Sequence, residues 1–145
     1  MMAPSIRAAQ RWLAPSLACL TLMGMSAGAV AGPAKAAGGA PSFSRKIQPI
    51  FDANCVACHQ TAGASGGLNL EEGLAYRSIV SRKSSAIASD YIAPGMPQAS
   101  YLLRKLEGTH GQAGGSGEQM PPTGPLDKAS IALIQRWIET GAKND

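Results

Sequence analysis

Apolar residues in the first part of the chain's central region follow a helical spacing. Ile47, Ile50 and Phe51 recur at i, i+3 and i+4, which predicts a short amphipathic helix between residues 42 and 54. Pro49 interrupts this pattern, so the helix either starts close to Pro49 or kinks there. The stretch 60–67 has three glycines and no apolar period, and it predicts a loop.

Two more short helices are predicted in the middle of the chain. Asn69 is expected to cap a helix that extends to Ile79. Ser100 is expected to cap a second helix over residues 101–107, which Gly108 ends. The segment 109–119 that follows contains four glycines, and it predicts a mobile loop.

The last helix has the strongest pattern of the chain. Asp127 is its expected N-cap, and Gly141 is its expected end. Its predicted apolar face consists of Ile131, Ile134, Trp137 and Ile138. We expect this face to pack against the first helix, which would bring the two ends of the domain together.

The N-terminal segment differs in character from the rest of the chain. Arg7 and Arg11 precede an uncharged apolar stretch over 12–30, and an A-x-A pattern occupies 29–31. These features predict a secretory signal peptide, residues 1–31, a flexible leader, residues 32–41, and one small domain, residues 42–145. A retained membrane anchor is the alternative, because about 19 apolar residues can just span a bilayer.

The net charge of the chain bears on whether nucleic acid is one of its partners. The chain has a formal net charge of +4, and cleavage after residue 31 removes Arg7 and Arg11 but no acidic residue, which lowers it to +2. A balance this close to neutral does not favour nucleic acid as a partner. Membrane association is expected only if the N-terminal segment is retained.

One short motif carries most of the chemistry. Cys55 and Cys58 are separated by two residues, and His59 follows directly. At this spacing two sulfurs can form thioethers to the vinyl groups of a haem while the histidine reaches the iron. Covalent haem attachment takes place outside the bacterial cytoplasm, so the predicted export of the chain is consistent with it.

Other uses of the cysteine pair are less well supported by the sequence. A zinc site needs a second pair of ligands, and a redox dithiol needs a βαβ context. The remaining cysteine, Cys19, lies in the predicted signal peptide and is expected to be removed with it. A haem-free dithiol or metal-binding interaction domain therefore stays the weaker interpretation.

Met120 is the candidate for a second iron ligand. It precedes Pro121 and Pro122, which restrict the backbone to extended conformations and donate no N–H, so the methionine is presented from a stiff segment. A thioether is a soft ligand for haem iron. Met96, which also precedes a proline, and His110 are the competing candidates.

The chain resembles a class I c-type cytochrome over residues 43–143. The resemblance rests on the stretches IQPIFDANCVACH, GGLNL, SYLLRKL, MPP and RWI-x-x-GA, and it is greatest to the short cytochrome c domains of exported bacterial proteins, including the planctomycete type. It implies a small all-α fold of three to five short helices around one covalent haem c. It also implies thioethers at Cys55 and Cys58, His59 as the proximal ligand and Met120 as the distal ligand.

One departure from the family concerns the histidine. Many class I cytochromes have a proline after it whose carbonyl accepts the imidazole N–H, but residues 60–67 contain no proline. Another backbone carbonyl is expected to orient His59.

The predicted function is single-electron transfer in the periplasm, without enzyme activity, between redox donor and acceptor proteins that the sequence does not identify. Two axial ligands leave no open site on the iron, which favours a carrier over a catalyst. A haem enzyme, or a sensor of gas or peroxide with a labile Met120, is the alternative.

Overall fold

Short helices joined by turns make up the part of the chain that the computed structural model describes, residues 39–145. Its four α-helices are α1 (Gln48–Asn54), α2 (Ala75–Ile79), α3 (Tyr101–Glu107) and α4 (Lys128–Glu139). Its 3₁₀ turns are Ser65–Gly67, Pro97–Ala99 and His110–Ala113. Within these residues β-structure is limited to two isolated bridges, so the predicted all-α class is confirmed.

The N-terminal predictions fall largely outside this region. The predicted signal peptide, residues 1–31, and most of the predicted leader lie outside the described residues. Among the helices of residues 39–145, none has the length and apolar character needed to cross a membrane.

The sequence left open whether the first helix starts close to Pro49 or kinks there, and the structure shows that α1 starts close to it. A π-helical turn, Phe43–Ile47, precedes α1, and Pro49 lies in the first turn of α1 itself. The side chain of Ser42 caps this turn by accepting a hydrogen bond from the backbone N–H of Arg45 at 3.2 Å. A proline ring conflicts with the carbonyl four residues earlier, and a wider turn before Pro49 accommodates it.

The core forms where this first segment meets α4. Trp137 is fully buried, and its ring lies 5.3 Å from that of Phe43. Tyr76 packs edge-on against Phe43, also at 5.3 Å. Aromatic pairs at such distances add to the free energy gained by burying their area. The predicted packing of the last helix on the first is therefore confirmed.

Hydrogen bonds join the two ends of the domain. A carboxylate oxygen of Asp145 accepts from the hydroxyl of Ser42 at 3.0 Å and from the backbone N–H of Phe43 at 2.7 Å. The indole N–H of Trp137 donates to the carbonyl of Lys143 at 2.9 Å. These bonds fix the residues after α4 over the start of the first helix.

The helix caps agree only partly with the sequence predictions. Asp127 caps α4 by accepting from the N–H of Ser130 at 2.9 Å, as predicted, and Gly108 ends α3 in the left-handed conformation with φ 74°. Ser100 occupies the N-cap position of α3, but its hydroxyl accepts from Ala93 N–H and donates to Met96 carbonyl instead. The prediction that its side chain caps α3 is wrong, because that hydroxyl fixes the preceding turn.

The helix predicted after Asn69 is shorter than expected. The side chain of Asn69 accepts from the N–H of Glu71 at 2.9 Å, but this bond caps an isolated turn, and α2 begins only at Ala75. Gly73 lies between them with φ 74°, a conformation incompatible with a continuing right-handed helix.

Candidate functional site

The cysteine motif lies at the end of α1. Cys55 follows the last residue of this helix, and its carbonyl accepts from the N–H of Cys58 at 3.1 Å and of His59 at 3.0 Å. The chain therefore makes one tight turn within the motif. Cys58 is exposed, whereas Cys55 and His59 are partly buried.

These side chains face a cavity of about 390 Å³. Cys55, Cys58 and His59 line it, and so does Met120. Much of the remaining wall is apolar and includes Phe51, Leu68, Leu70, Leu102, Leu106 and Pro121. The fold thus brings all four residues that the sequence singled out to one apolar cavity.

A backbone carbonyl orients His59. Its Nδ1 lies 3.3 Å from the carbonyl oxygen of Leu68, which can only accept a hydrogen bond. The proton of a neutral imidazole is therefore placed on Nδ1, and Nε2 keeps its lone pair for a metal. The expectation that a backbone carbonyl replaces the missing proline carbonyl is met by Leu68.

The loop that carries Leu68 is closed by a carboxylate. Glu71 accepts hydrogen bonds from the side-chain hydroxyl of Thr61, from the backbone N–H of Thr61 at 2.8 Å and from the side chain of Asn69 at 2.9 Å. These bonds, that of the Thr61 hydroxyl first, lower the pKa of Glu71 below its ordinary value. The carbonyl of His59 adds a bond to the N–H of Leu70 at 2.8 Å, so both ends of the loop are held.

Met120 lines the same cavity although it lies about 60 residues after the cysteine motif in the sequence. It is partly buried, and its N–H donates to the carbonyl of Lys105 in α3 at 3.0 Å. The two competing candidates lie elsewhere. Met96 is 57% exposed, and neither it nor His110 lines the cavity. His110 is buried, and its Nε2 lies 2.8 Å from the carbonyl of Gly117.

Sequence reasoning missed several polar residues of the cavity wall, and two of them lie on α3. Tyr101 and Lys105, four residues apart on α3, both line the cavity. The hydroxyl of Tyr101 is buried without a hydrogen-bond partner among the described residues. The signal was present, because both share a helical face with the inward-facing leucines Leu102 and Leu106.

The environment of Cys55 bears on the alternative of a redox dithiol. Burial, followed by the negative charge of Asp52 and the nearby Cys58, raises the pKa of the Cys55 thiol to about 11. A thiol with this pKa stays protonated at neutral pH and is a poor nucleophile in disulfide exchange. No group of three His, Cys, Asp or Glu side chains within residues 39–145 is placed to hold a metal ion.

The comparison with protein families decides between these possibilities. The family model for cytochrome c matches residues 44–142. The chain belongs to the cytochrome c family. The resemblance to cytochromes c and the predicted small cytochrome c fold are thereby confirmed, and membership implies a covalently bound haem c.

One solved structure adds support for the fold of this cytochrome c. Hydrazine synthase from Kuenenia stuttgartiensis matches with 24% sequence identity and a TM-score of 0.50. The match covers 72% of this chain but only 16% of that chain, so the cytochrome corresponds to a small part of the enzyme. No curated protein matches the sequence.

The residues of the cavity fit a haem c. The motif supplies two thiols and an imidazole in one turn, and the apolar wall suits a macrocycle. A buried hydroxyl needs a hydrogen-bond partner, and Tyr101, whose hydroxyl has none among the described residues, is part of the cavity wall. This hydroxyl could donate to a polar atom of a bound group. Cys55 and Cys58 are therefore the residues that would hold the group covalently.

Proposed function

We propose that this cytochrome is an exported single-haem electron carrier whose iron is bound by His59 and Met120. The observation that carries the proposal is that these two side chains, from distant parts of the chain, line the same apolar cavity as Cys55 and Cys58. Haem c bound there supplies one-electron Fe(III)/Fe(II) chemistry. A thioether ligand favours the ferrous state and raises the reduction potential.

The protein's own residues support transfer rather than turnover. The carbonyl of Leu68 holds the imidazole of His59, and much of the cavity wall around it is apolar. With His59 and Met120 both bound to the iron, no position would remain for a substrate, which supports a carrier rather than an enzyme. The exposure of Cys58 supports a haem edge that is accessible to partner proteins. Redox partners of this kind usually meet through small, transient interfaces.

The proposed location is the periplasm. It rests on the signal-peptide pattern of residues 1–31 and on covalent haem attachment, which takes place after export. The proposed partners are a donor and an acceptor protein, with no nucleic acid among them.

The experiment compares Met120→Ala with Met96→Ala in the holoprotein, purified from a bacterial host that attaches haem c. The wild-type ferric protein should show the methionine-sulfur charge-transfer band. Met120→Ala should lose this band and have a lower reduction potential, because water or no ligand then replaces the sulfur. Met96→Ala should behave as wild type, since Met96 is exposed and does not line the cavity.

Other outcomes identify the alternatives. A change with Met96→Ala but not Met120→Ala would transfer the distal role to Met96. A wild-type ferric protein that lacks the band and binds cyanide rapidly would support a haem enzyme or sensor. A negative pyridine haemochrome assay would leave only the haem-free domain.

A further inference from the structure

The segment before Met120 is glycine-rich, yet hydrogen bonds attach it to α3. Lys105 makes three of them. Its ammonium group donates to the carbonyls of Ser116 at 3.1 Å and of Glu118 at 2.6 Å, and its own carbonyl accepts from the N–H of Met120 at 3.0 Å. Lys105 thus forms hydrogen bonds to three of the five residues from 116 to 120.

Two other side chains complete this attachment. Gln119 donates to the carbonyl of Leu106 at 2.6 Å, and the imidazole of His110 lies 2.8 Å from the carbonyl of Gly117. Each residue from 116 to 120 is therefore bonded to α3 or to the turn that follows it. We call residues 116–119 the anchored segment. The sequence predicted a mobile loop over 109–119. The structure places the 3₁₀ turn His110–Ala113 and the hydrogen bonds of residues 116–119 within this loop, and the sequence indicated neither.

A free loop of this composition would hold Met120 poorly. Glycine has more conformational freedom than other residues, so ordering a glycine-rich loop costs more entropy. A neutral thioether is also a weak ligand, and water or an added imidazole can compete with it. The occupancy of the sulfur on the iron therefore depends on how strongly the loop is ordered by other bonds.

We propose that Lys105 is a positioning residue that keeps Met120 at the haem iron by holding the anchored segment. This inference depends on the proposed role of Met120 as distal ligand. Hydrogen bonds from a charged ammonium to carbonyls are stronger than bonds between neutral groups. Lys105 also lines the cavity, so it connects the cofactor pocket to the loop directly. Lys105 acts through its hydrogen bonds to the anchored segment, and this role does not require it to contact the iron.

The test uses three variants of the ferric holoprotein. Lys105→Met removes the two ammonium bonds but keeps the length of the side chain, and Lys105→Arg keeps the charge and the donors. Lys128→Met is the matched control, because Lys128 is exposed on the first residue of α4 and its replacement removes the same charge. The measurements are the imidazole binding constant, the methionine-sulfur band, the reduction potential and the thermal midpoint.

Lys105→Met should bind imidazole about tenfold more tightly than wild type, since two hydrogen bonds no longer oppose release of the loop. Its band should weaken and its reduction potential should fall. Lys105→Arg should lie between Lys105→Met and wild type, and Lys128→Met should match wild type. Lys105→Gln, which keeps an N–H donor, should shift the binding constant in the same direction and covers the case in which Lys105→Met does not accumulate.

Two results would overturn the inference while leaving the proposed function intact. Wild-type imidazole binding in both Lys105→Met and Lys105→Gln would show that the ammonium bonds do not hold Met120. Equal changes in Lys105→Met and Lys128→Met would reduce the effect to net charge. A wild-type protein without the sulfur band would instead refute Met120 ligation, and this inference with it.

Discussion

The imidazole Nδ1 of His59 lies 3.3 Å from the carbonyl oxygen of Leu68, at the end of a loop that contains no proline. The 3₁₀ turn Ser65–Gly67 precedes this carbonyl, and Gly66 and Gly67 have φ of 63° and 72°. Residues with side chains adopt such values only with strain. The orientation of His59, the proposed proximal ligand, therefore depends on two glycines whose side chains take no part in binding.

Replacing Gly67 with alanine should disturb this arrangement. Nothing lies within 4 Å of the added Cβ, so the effect comes from the positive φ alone and should cost about 1–2 kcal/mol. A turn that relaxes moves the carbonyl of Leu68 and weakens its bond to His59. Imidazole then donates less electron density to the iron, so potentiometry should give a higher reduction potential than in wild type.

Gly63→Ala is the matched control for this change. Gly63 lies in the same loop and also has open space around an added Cβ, but its φ is not positive. It should leave the reduction potential and the thermal midpoint unchanged. Equal behaviour of the two variants would show that the turn does not orient His59.

Loss of both cysteines should prevent formation of the folded holoprotein. The double variant Cys55→Ala, Cys58→Ala has no sulfur for thioethers, and its apolar cavity of about 390 Å³ would lack the group that fills it. An apolar cavity of that size destabilises a small domain strongly. We expect colourless, largely unfolded protein by absorption and circular dichroism.

The exposed residue Ala57, between the two cysteines, provides a control inside the same turn. Ala57→Ser should load haem and fold normally. Folded protein that carries haem in the double cysteine variant would refute the thioether assignment.

Apolar periodicity and motif spacing were sufficient for much of the fold and of the candidate site. The face of α4 that includes Ile134, Trp137 and Ile138 is buried as its spacing predicts. The position of Cys55 and His59 at one cavity was predictable because residues four apart within one turn must lie close together in space. These features depend on local spacing, which a sequence displays directly.

Contacts that depend on the path of a loop were not predictable. The group that contacts His59 is the backbone carbonyl of Leu68. Every residue has such a carbonyl, so the residue type gives no indication of which one will be used. The ammonium bonds of Lys105 depend on where a glycine-rich segment passes, and the spacing of charges does not indicate that. The same limit explains Ser100, whose cap position was predicted correctly while the partners of its hydroxyl were not.

Trp137→Phe should lower the free energy of unfolding by about 1–3 kcal/mol, because it removes a buried hydrogen-bond donor and part of a fully buried ring. The carbonyl of Lys143 then loses its partner from the indole. Urea unfolding of the holoprotein measures the change. Met96→Ala should shift the urea midpoint very little, since Met96 is 57% exposed. A midpoint equal to wild type in Trp137→Phe would contradict the packing of α4 on Phe43.

Asp145→Asn should make the stability of the domain less sensitive to acid. Desolvation opposes ionisation of Asp145, but hydrogen bonds from Ser42 and from the backbone of Phe43 and Ser44, with the charge of Arg45, outweigh it and lower the pKa of this carboxyl. A group whose pKa is lower in the folded state stabilises that state above its unfolded pKa. The contribution is lost as the pH falls through the folded pKa.

The asparagine keeps an acceptor for Ser42 but has no charge, so this variant isolates the ionised form of Asp145. Its urea midpoint should be lower than that of wild type at neutral pH, and the two midpoints should converge below the folded pKa, where Asp145 is protonated in wild type as well. Glu72→Gln, which removes an exposed carboxylate elsewhere, is the control for the loss of one negative charge. A gap between Asp145→Asn and wild type that persists unchanged in acid would mean that the charge of Asp145 does not hold the two ends of the domain together.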